Sequence, residues 1–494
     1  MSKRVIMVGI DGCHQATLYG LIDRGEAPFF TKLAKNGTRV AKAVTMFPST
    51  TTCCCSTLYT GCWYKNHGIL NNEWVDRFAT PVRAHTYIAG MRYALESLDR
   101  KLFGWPTILL PSANKGGAVN NDFQTPTVYE ELTAAGKTSY ALFNYISRGA
   151  TRWVRQSHAD MLRFAYVEKR EKPYQIYERY LVTRAIQHTK RKPADLLSIY
   201  FGCNDGNSHR HGVEGQLGYL RDFIDPELAR LAAALERLCT GDEIYWAITA
   251  DHGQTTITKK ENSVWATDFF PIFTKAGFER IERGLSDNEE LDSLDAIVSL
   301  GTGASLGFYA RNRKTRDWKI FPDFEADLVP ALNNFLKASA KAEPFSDWKF
   351  PGCVDFLLTR KTFEEPYRIY ANEPPFDGVG KLVELEKYFS DRAGDGYVKP
   401  VERIRGIDHP KGPDIVLLLN YRDQFNVNEA ESFHPGQHGS LFAGDSLVPM
   451  IFSGPGVRRE EIPEAFTIDY SPTAASILGV EMPKADGKPL PIFD

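Results

Sequence analysis

No apolar run in the 494 residues approaches the roughly 18 to 20 residues of a membrane span, and there is no internal repeat or low-complexity tract. Charge of one sign is also missing. Lys and Arg number 59 against 62 Asp and Glu, a net charge of -3, so nothing draws the whole chain to nucleic acid or an anionic membrane. The eight cysteines lack a CxxC pair or a secreted-framework spacing: Cys53, Cys54 and Cys55 are consecutive, and Cys13, Cys62, Cys203, Cys239 and Cys353 are scattered. That pattern argues for reduced thiols over disulfides or a thiolate zinc site. The opening MSKRVIMVGIDG has too short an apolar stretch for a signal peptide and no cleavage pattern, so it reads as a first strand. Together these absences lead us to expect a cytoplasmic protein.

What is present centres on residues 47–72, FPSTTTCCCSTLYTGCWYKNHGILNN, which read as a nucleophile at the start of a helix. Pro48 pushes Phe47 toward extended geometry, a Ser/Thr cluster offers N-cap hydroxyls, and Gly61 is a stop signal. The first N–H groups of such a helix would face whatever sits at Thr50 or Thr51. On this stretch alone an ordinary capped helix is the simpler account. The rest of the chain sets it aside.

Apolar runs of buried-strand type at 5–10, 195–202 and 244–250 each lead into acids or histidines: Asp11, then Asp205 and His209, then Asp251 and His252. Open α/β sheets place their chemistry at strand carboxyl ends, so the repetition points to a mostly parallel sheet. Helices are expected over 17–36 and 126–135, a strand over 139–143, and further core strands over 414–420 and 448–453. Residues 259–405 change to charged helices and short strands with no similar strand-to-acid event. We therefore expect an α/β core from 1–258, with insertions at about 76–120 and 150–190, an inserted cap over 259–405, and the core completed by 406–494. Residues 146–192 carry twelve Lys or Arg against four acids, interleaved with Trp153, Phe164, Tyr166, Tyr174, Tyr177 and Tyr180. Solvated helix faces with inward aromatics are favoured there over an anion-attracting wall.

Two divalent ions about 4 Å apart need several carboxylate and imidazole ligands at one sheet edge. The candidates are Asp11, Asp205, His209, Asp251, His252 and His438, the last from the run HPGQHG. His67, His211, His409 and His434 are set aside on position. Two dications bring four positive charges, and three carboxylates with one deprotonated Thr51 bring four negative ones, so the loaded site is neutral before an anionic substrate arrives.

The order strand-Asp, Thr-headed helix, strand-Asp-x3-His, strand-Asp-His-Gly, His-Gly resembles the alkaline phosphatase superfamily. More closely it resembles the nucleotide pyrophosphatase/phosphodiesterase family, also called type I phosphodiesterases. The likeness covers roughly 3–75, 126–145, 195–255 and 413–490. The family's Pro-x-x-Thr motif matches Pro48 to Thr51, and its HG-x-x-N-N element matches His67 to Asn72. The resemblance implies a three-layer α/β/α sandwich with a mostly parallel central sheet and an inserted cap. It makes Thr51 the nucleophile and Asn72 the donor to the transition state. One metal would sit on Asp11, Asp251, His252 and the Thr51 oxygen, the other on Asp205, His209 and His438. Thr52 and Cys54 stand where eukaryotic nucleotide-cleaving members carry an aromatic and an Asn.

The expected activity is hydrolysis of phosphodiester or pyrophosphate bonds through a phospho-threonine, with two divalent ions. Zinc is the first choice, and manganese or iron suits the same ligands. The expected partner is a small anionic phosphodiester or related substrate, with no nucleic acid and no membrane. Phosphonate hydrolysis, monoester hydrolysis and phosphoryl transfer remain open on the same fold, as does a metal-binding scaffold without turnover. Sulfatase chemistry is disfavoured because no C/S-x-P-x-R string lies near Cys53 to Cys55.

Overall fold

The strand Lys3–Ile10 is buried from Val5 onward and lies at the middle of the main sheet. The computed structural model describes residues 2–87, 118–154, 173–283, 291–300, 303–372, 379–427 and 433–493. Across the main sheet the order is Leu447–Val448, Gly37–Val44, Met450–Ser453, Glu243–Thr249, Lys3–Ile10, Leu196–Phe201, Ser139–Leu142 and Arg152–Val154, with Glu461–Phe466 beside Gly37–Val44. The five strands from Glu243–Thr249 to Arg152–Val154 are parallel, and Met450–Ser453 returns antiparallel. Nearly continuous apolar runs such as LLSIYF, in which only Ser198 intervenes, fit this setting, because a sheet covered on both faces has no solvent side that calls for alternating polar residues.

The covering helices fall into two sets. Thr51–Thr60, Val128–Ala134 and Tyr470–Ile477 pack together, while Pro28–Lys35 contacts Gln15–Asp23 and Asp225–Leu238, which contacts Pro173–Arg191. These are the outer layers of the expected sandwich. In register, Ile10 pairs with Phe201 and Gly9 with Thr249, so the three strands end level and deliver their following residues to one edge.

A second, seven-stranded sheet runs Ile281–Arg283, Ala296–Leu300, Ser305–Ala310, Ile415–Leu419, Val354–Thr359, Arg368–Ala371 and Lys381–Val383. It has its own core, in which Phe269, Phe273, Phe308, Phe335 and Trp348 cluster. Ile415–Leu419, expected in the main sheet, lies instead between Ser305–Ala310 and Val354–Thr359, so the expected boundary at 405 does not separate the two sheets.

Three local expectations also change. The single helix over 17–36 is two, Gln15–Asp23 and Pro28–Lys35, because Gly25 takes a left-handed φ of 72° and Pro28 restarts the helix at its first turn. The irregular stretch after Asn72 begins as a hairpin, Glu73–Asp76 with Arg83–Thr86, and residues 88–117 lie outside the described residues. Of the basic segment, 155–172, with Phe164 and Tyr166, also lie outside them. In Pro173–Arg191, Tyr177 and Tyr180 both set their rings edge-on to Phe143 while Arg179 is exposed and reaches Glu227, but the acid Glu178 between them is buried, so the expected inward-aromatic, outward-charge face holds only in part.

All eight cysteines are buried and free. Among the described residues no helix is long and apolar enough to cross a membrane.

Candidate functional site

Thr51 opens the helix Thr51–Thr60, and Gly61 closes it in a left-handed conformation at φ 68°. A Cβ at Gly61 would stand 2.9 Å from the Ala485 Cβ, so both backbone angle and space require glycine. The expected hydroxyl cap is absent: Thr50 is extended at the N-cap, and its Oγ1 is buried without a partner. The cap comes from Asn72, whose Oδ1 accepts the Thr52 N–H at 3.2 Å. That leaves the Asn72 amide nitrogen without a hydrogen-bond partner among the described residues.

His67 brings Asn72 back to this position. Its Nδ1 accepts the Ile69 N–H at 3.1 Å, so Nε2 carries the proton and donates to Thr57 Oγ1 at 3.2 Å. Burial pushes the His67 pKa down to about 3, which keeps this neutral tautomer. His67 is therefore a clamp between helix and loop, and not a metal ligand.

All six metal-type residues gather at the level strand ends, in two groups. Asp11, Asp251 and His252 form one and Asp205, His209 and His438 the other, the ligand atoms within each lying within 4.8 Å of one another. In the first, His252 Nε2 is 3.4 Å from Asp11 Oδ1 and 3.6 Å from Asp251 Oδ2, and the Thr51 Oγ1 is 3.2 Å from the same nitrogen. In the second, Asp205 and His209 lie one turn apart on Cys203–His211, with His209 Nε2 3.2 Å and His438 Nε2 3.9 Å from the Asp205 carboxylate. The His252 and His438 rings stack at 3.7 Å, 11° from parallel, and join the groups.

Each imidazole is oriented by a backbone carbonyl. Nδ1–H of His252 donates to Gly253 O at 2.8 Å, that of His209 to Gly436 O at 2.6 Å, and that of His438 to Ser49 O at 2.6 Å. A carbonyl only accepts, so each Nδ1 carries a proton and every Nε2 faces the carboxylates, free to give up any proton of its own to an ion. Burial pushes the Asp11 carboxyl well up, and Asp251 and Asp205 add to it; Asp11 Oδ1 has no hydrogen-bond partner. Burial also works against charge on Asp205, yet His209, His438 and His252 hold it well below the usual carboxylate range. Burial, then His252, keeps His438 well below the usual imidazole range. An orphaned carboxylate oxygen, three aimed imidazole nitrogens and crowded buried acids fit a pair of divalent cations.

Several contributors have no motif of their own. Tyr200 donates its O–H to Asp251 Oδ2 at 3.0 Å, and the N–H groups of Gly12 and His252 donate to Asp251 Oδ1 at 3.1 and 2.9 Å. Tyr200 can lie there because Gly9 faces it: a Cβ on Gly9 would stand 2.7 Å from the Tyr200 ring. Gln254 donates its amide to Asp205 Oδ1 from the position after Asp251-His252-Gly253, so it ties one group to the other. Ser49 takes His438 Nδ1 on its carbonyl and the Gly439 N–H on its hydroxyl. The only sequence signal for these residues is nearness to a ligand.

Known proteins resemble this chain at two levels. Ectonucleotide pyrophosphatase/phosphodiesterase family member 7 of Rattus norvegicus is 24% identical over 283 residues, covering 53% of this chain and 52% of the relative. Its Homo sapiens counterpart is 23% identical over 272 residues, covering 53% and 50%. The chain thus spans about half the length of the curated relatives it matches. Among solved structures, an inactive threonine-to-alanine variant of murine ectonucleotide pyrophosphatase/phosphodiesterase 5 in complex with AMP superposes with a TM-score of 0.58 at 15% identity, over 99% of this chain and 98% of that one. The human protein of the same name gives 0.59 at 16%, over 98% and 97%. These structures share the alkaline-phosphatase-like fold. A family model for type I phosphodiesterase/nucleotide pyrophosphatase matches residues 5–319, the span that holds the strand-end acids and the Thr-headed helix, and the chain belongs to that family.

Proposed function

We propose that this chain hydrolyses phosphodiester or pyrophosphate bonds with two divalent ions, Thr51 as nucleophile and Asn72 as a donor to the phosphoryl group. The observation that carries the reading is the shared orientation of the three imidazoles, each with Nδ1–H on a backbone carbonyl and Nε2 facing a carboxylate. Ions held by the two groups, zinc before manganese or iron, would supply the positive charge that acidifies the Thr51 hydroxyl and stabilises the departing oxygen.

The chain's own residues do the rest. Thr51 stands at a helix N-terminus, where backbone dipoles favour negative charge on its oxygen. That oxygen attacks phosphorus, the bond to the leaving oxygen breaks, and a phospho-threonine ester forms. Water then attacks phosphorus, and Thr51 regains its hydroxyl as a phosphate monoester, or phosphate from a pyrophosphate end, departs. Asn72 presents its amide N–H to the non-bridging oxygen because its carbonyl is held by Thr52. One such donor contributes about 3 kcal/mol in the transition state.

Among the described residues no Lys or Arg bonds to Thr51, Asn72 or any of the six ligand side chains. A monoanionic diester or pyrophosphate suits that charge better than a monoester dianion. AMP in the murine relative, and the inactivity of its threonine-to-alanine variant, support a phosphate product and a threonine nucleophile. Thr52 and Cys54 are buried, so neither offers a surface for a base, and the reading commits to the ester class without a nucleoside. A panel of aryl phosphodiester, phosphomonoester, phosphonate and dinucleotide, assayed with and without added zinc, tests it: the diester should be turned over fastest and only with metal. Turnover of none, with metal bound, would return the scaffold reading.

A further inference from the structure

The helix Cys203–His211 carries two ligands but no cap of its own, since Gly202 at its N-cap has no side chain. The Cys203 N–H donates instead to Glu178 Oε1 at 2.8 Å, and Glu178 belongs to the separate helix Pro173–Arg191. Its other oxygen accepts the Tyr219 O–H at 2.6 Å from the helix Glu214–Tyr219. One carboxyl with no exposed surface therefore ties three helices together. Arg179 beside it is turned outward to Glu227 at 3.0 Å, and among the described residues no Lys or Arg pairs with Glu178. Burial pushes its carboxyl up to about 7.

A buried acid without a cation is an expensive way to satisfy one helix N–H. What Glu178 adds is a fixed relation to a second element. Asp205 lies two residues beyond Cys203 and His209 one turn further, whereas His438 comes from another part of the chain and is oriented by Ser49. Any tilt or rotation of the helix moves two ligand atoms against the third.

We propose that Glu178 is a positioning residue for the Asp205, His209 and His438 group, holding the ligand-bearing helix where its two side chains close on the same ion as His438. This rests on the two-metal reading above, and it gives the basic, aromatic segment a structural role, because its helix supplies the anchor.

The proposal is tested by zinc and manganese titration of chelator-stripped full-length protein, comparing wild type with Glu178→Leu and Glu178→Gln, together with amide hydrogen exchange of 203–211. Wild type should bind two ions. Glu178→Leu should weaken one of them by about 10-fold or more and leave the other within about threefold. Exchange should quicken in 203–211 and not in the Lys3–Ile10 strand. Glu178→Gln keeps the acceptor for Cys203 and should restore the lost affinity. Two ions bound equally in wild type and Glu178→Leu overturn the positioning role alone, as does equal weakening of both ions with exchange quickened throughout. Wild type binding no ion overturns the two-metal reading and this proposal with it.

Discussion

Asn72 Oδ1 accepts the Thr52 N–H at 3.2 Å, so the loop that follows the helix caps the helix at its start. Cap and amide donor are two ends of one side chain, and substitutions can separate them. Asn72→Asp keeps an acceptor for Thr52 but loses the N–H, so turnover should fall about 100- to 1000-fold with thermal stability nearly unchanged. Asn72→Ala loses both and should add a stability loss of about 1 kcal/mol. Near-normal turnover by Asn72→Asp would remove the amide from the chemistry.

The three consecutive threonines differ in surroundings. Thr51 Oγ1 is 3.2 Å from His252 Nε2, while Thr50 Oγ1 is buried with no partner. Thr51→Ala should lose at least about 1000-fold in the chemical step. Thr50→Val deletes a hydroxyl that bonds to nothing and should leave stability within about 1 kcal/mol. An inactive Thr52→Ala beside an active Thr51→Ala would refute the assignment.

Metal content offers a separate check. Protein prepared without chelator should carry close to two ions per chain, and stripping them should abolish turnover and lower the melting temperature, since ions that bind only the folded state stabilise it by mass action. Full activity in metal-free protein would end the two-metal reading.

Glu178 sets a pH dependence. Its folded pKa of about 7 lies above the ordinary 4.5, so the folded chain retains a proton that the unfolded chain releases. The associated stability is complete below about 4.5 and is lost as pH rises through about 7. Glu178→Gln cannot titrate there. Stripped Glu178→Gln should gain on stripped wild type across that window, by up to about 3 kcal/mol in denaturant unfolding. A constant difference from pH 4.5 to 8 would show that the carboxyl titrates normally.

The strand-end acids are legible in the sequence because a buried run that stops at Asp11 or Asp251 is a pattern within a few residues. Asp205 and His209 carry their own geometry in a spacing of one helical turn. Ile415–Leu419 is misplaced by its sequence because five apolar residues look alike whichever sheet receives them; which neighbour pairs with them depends on chain far away, as Ser305–Ala310 shows. Thr50 misleads because a cap hydroxyl and an idle one have the same sequence. Tyr200, Gln254 and Glu178 act through contacts between elements, and such contacts leave no periodic trace.

The position of Lys3–Ile10 at the centre of the sheet has a consequence for biosynthesis. Val5 pairs with Leu196 on one side and Tyr245 on the other, so this strand waits for the chain through Leu196 before one edge is covered and through Tyr245 before the other is. The metal-type groups wait longer, since the second closes only when His438 arrives. Such long-range closure is slow, and it leaves an apolar strand open to wrong partners in the interval. Conditions that delay completion of the chain should therefore cost yield of folded protein before they cost the stability of molecules that finish.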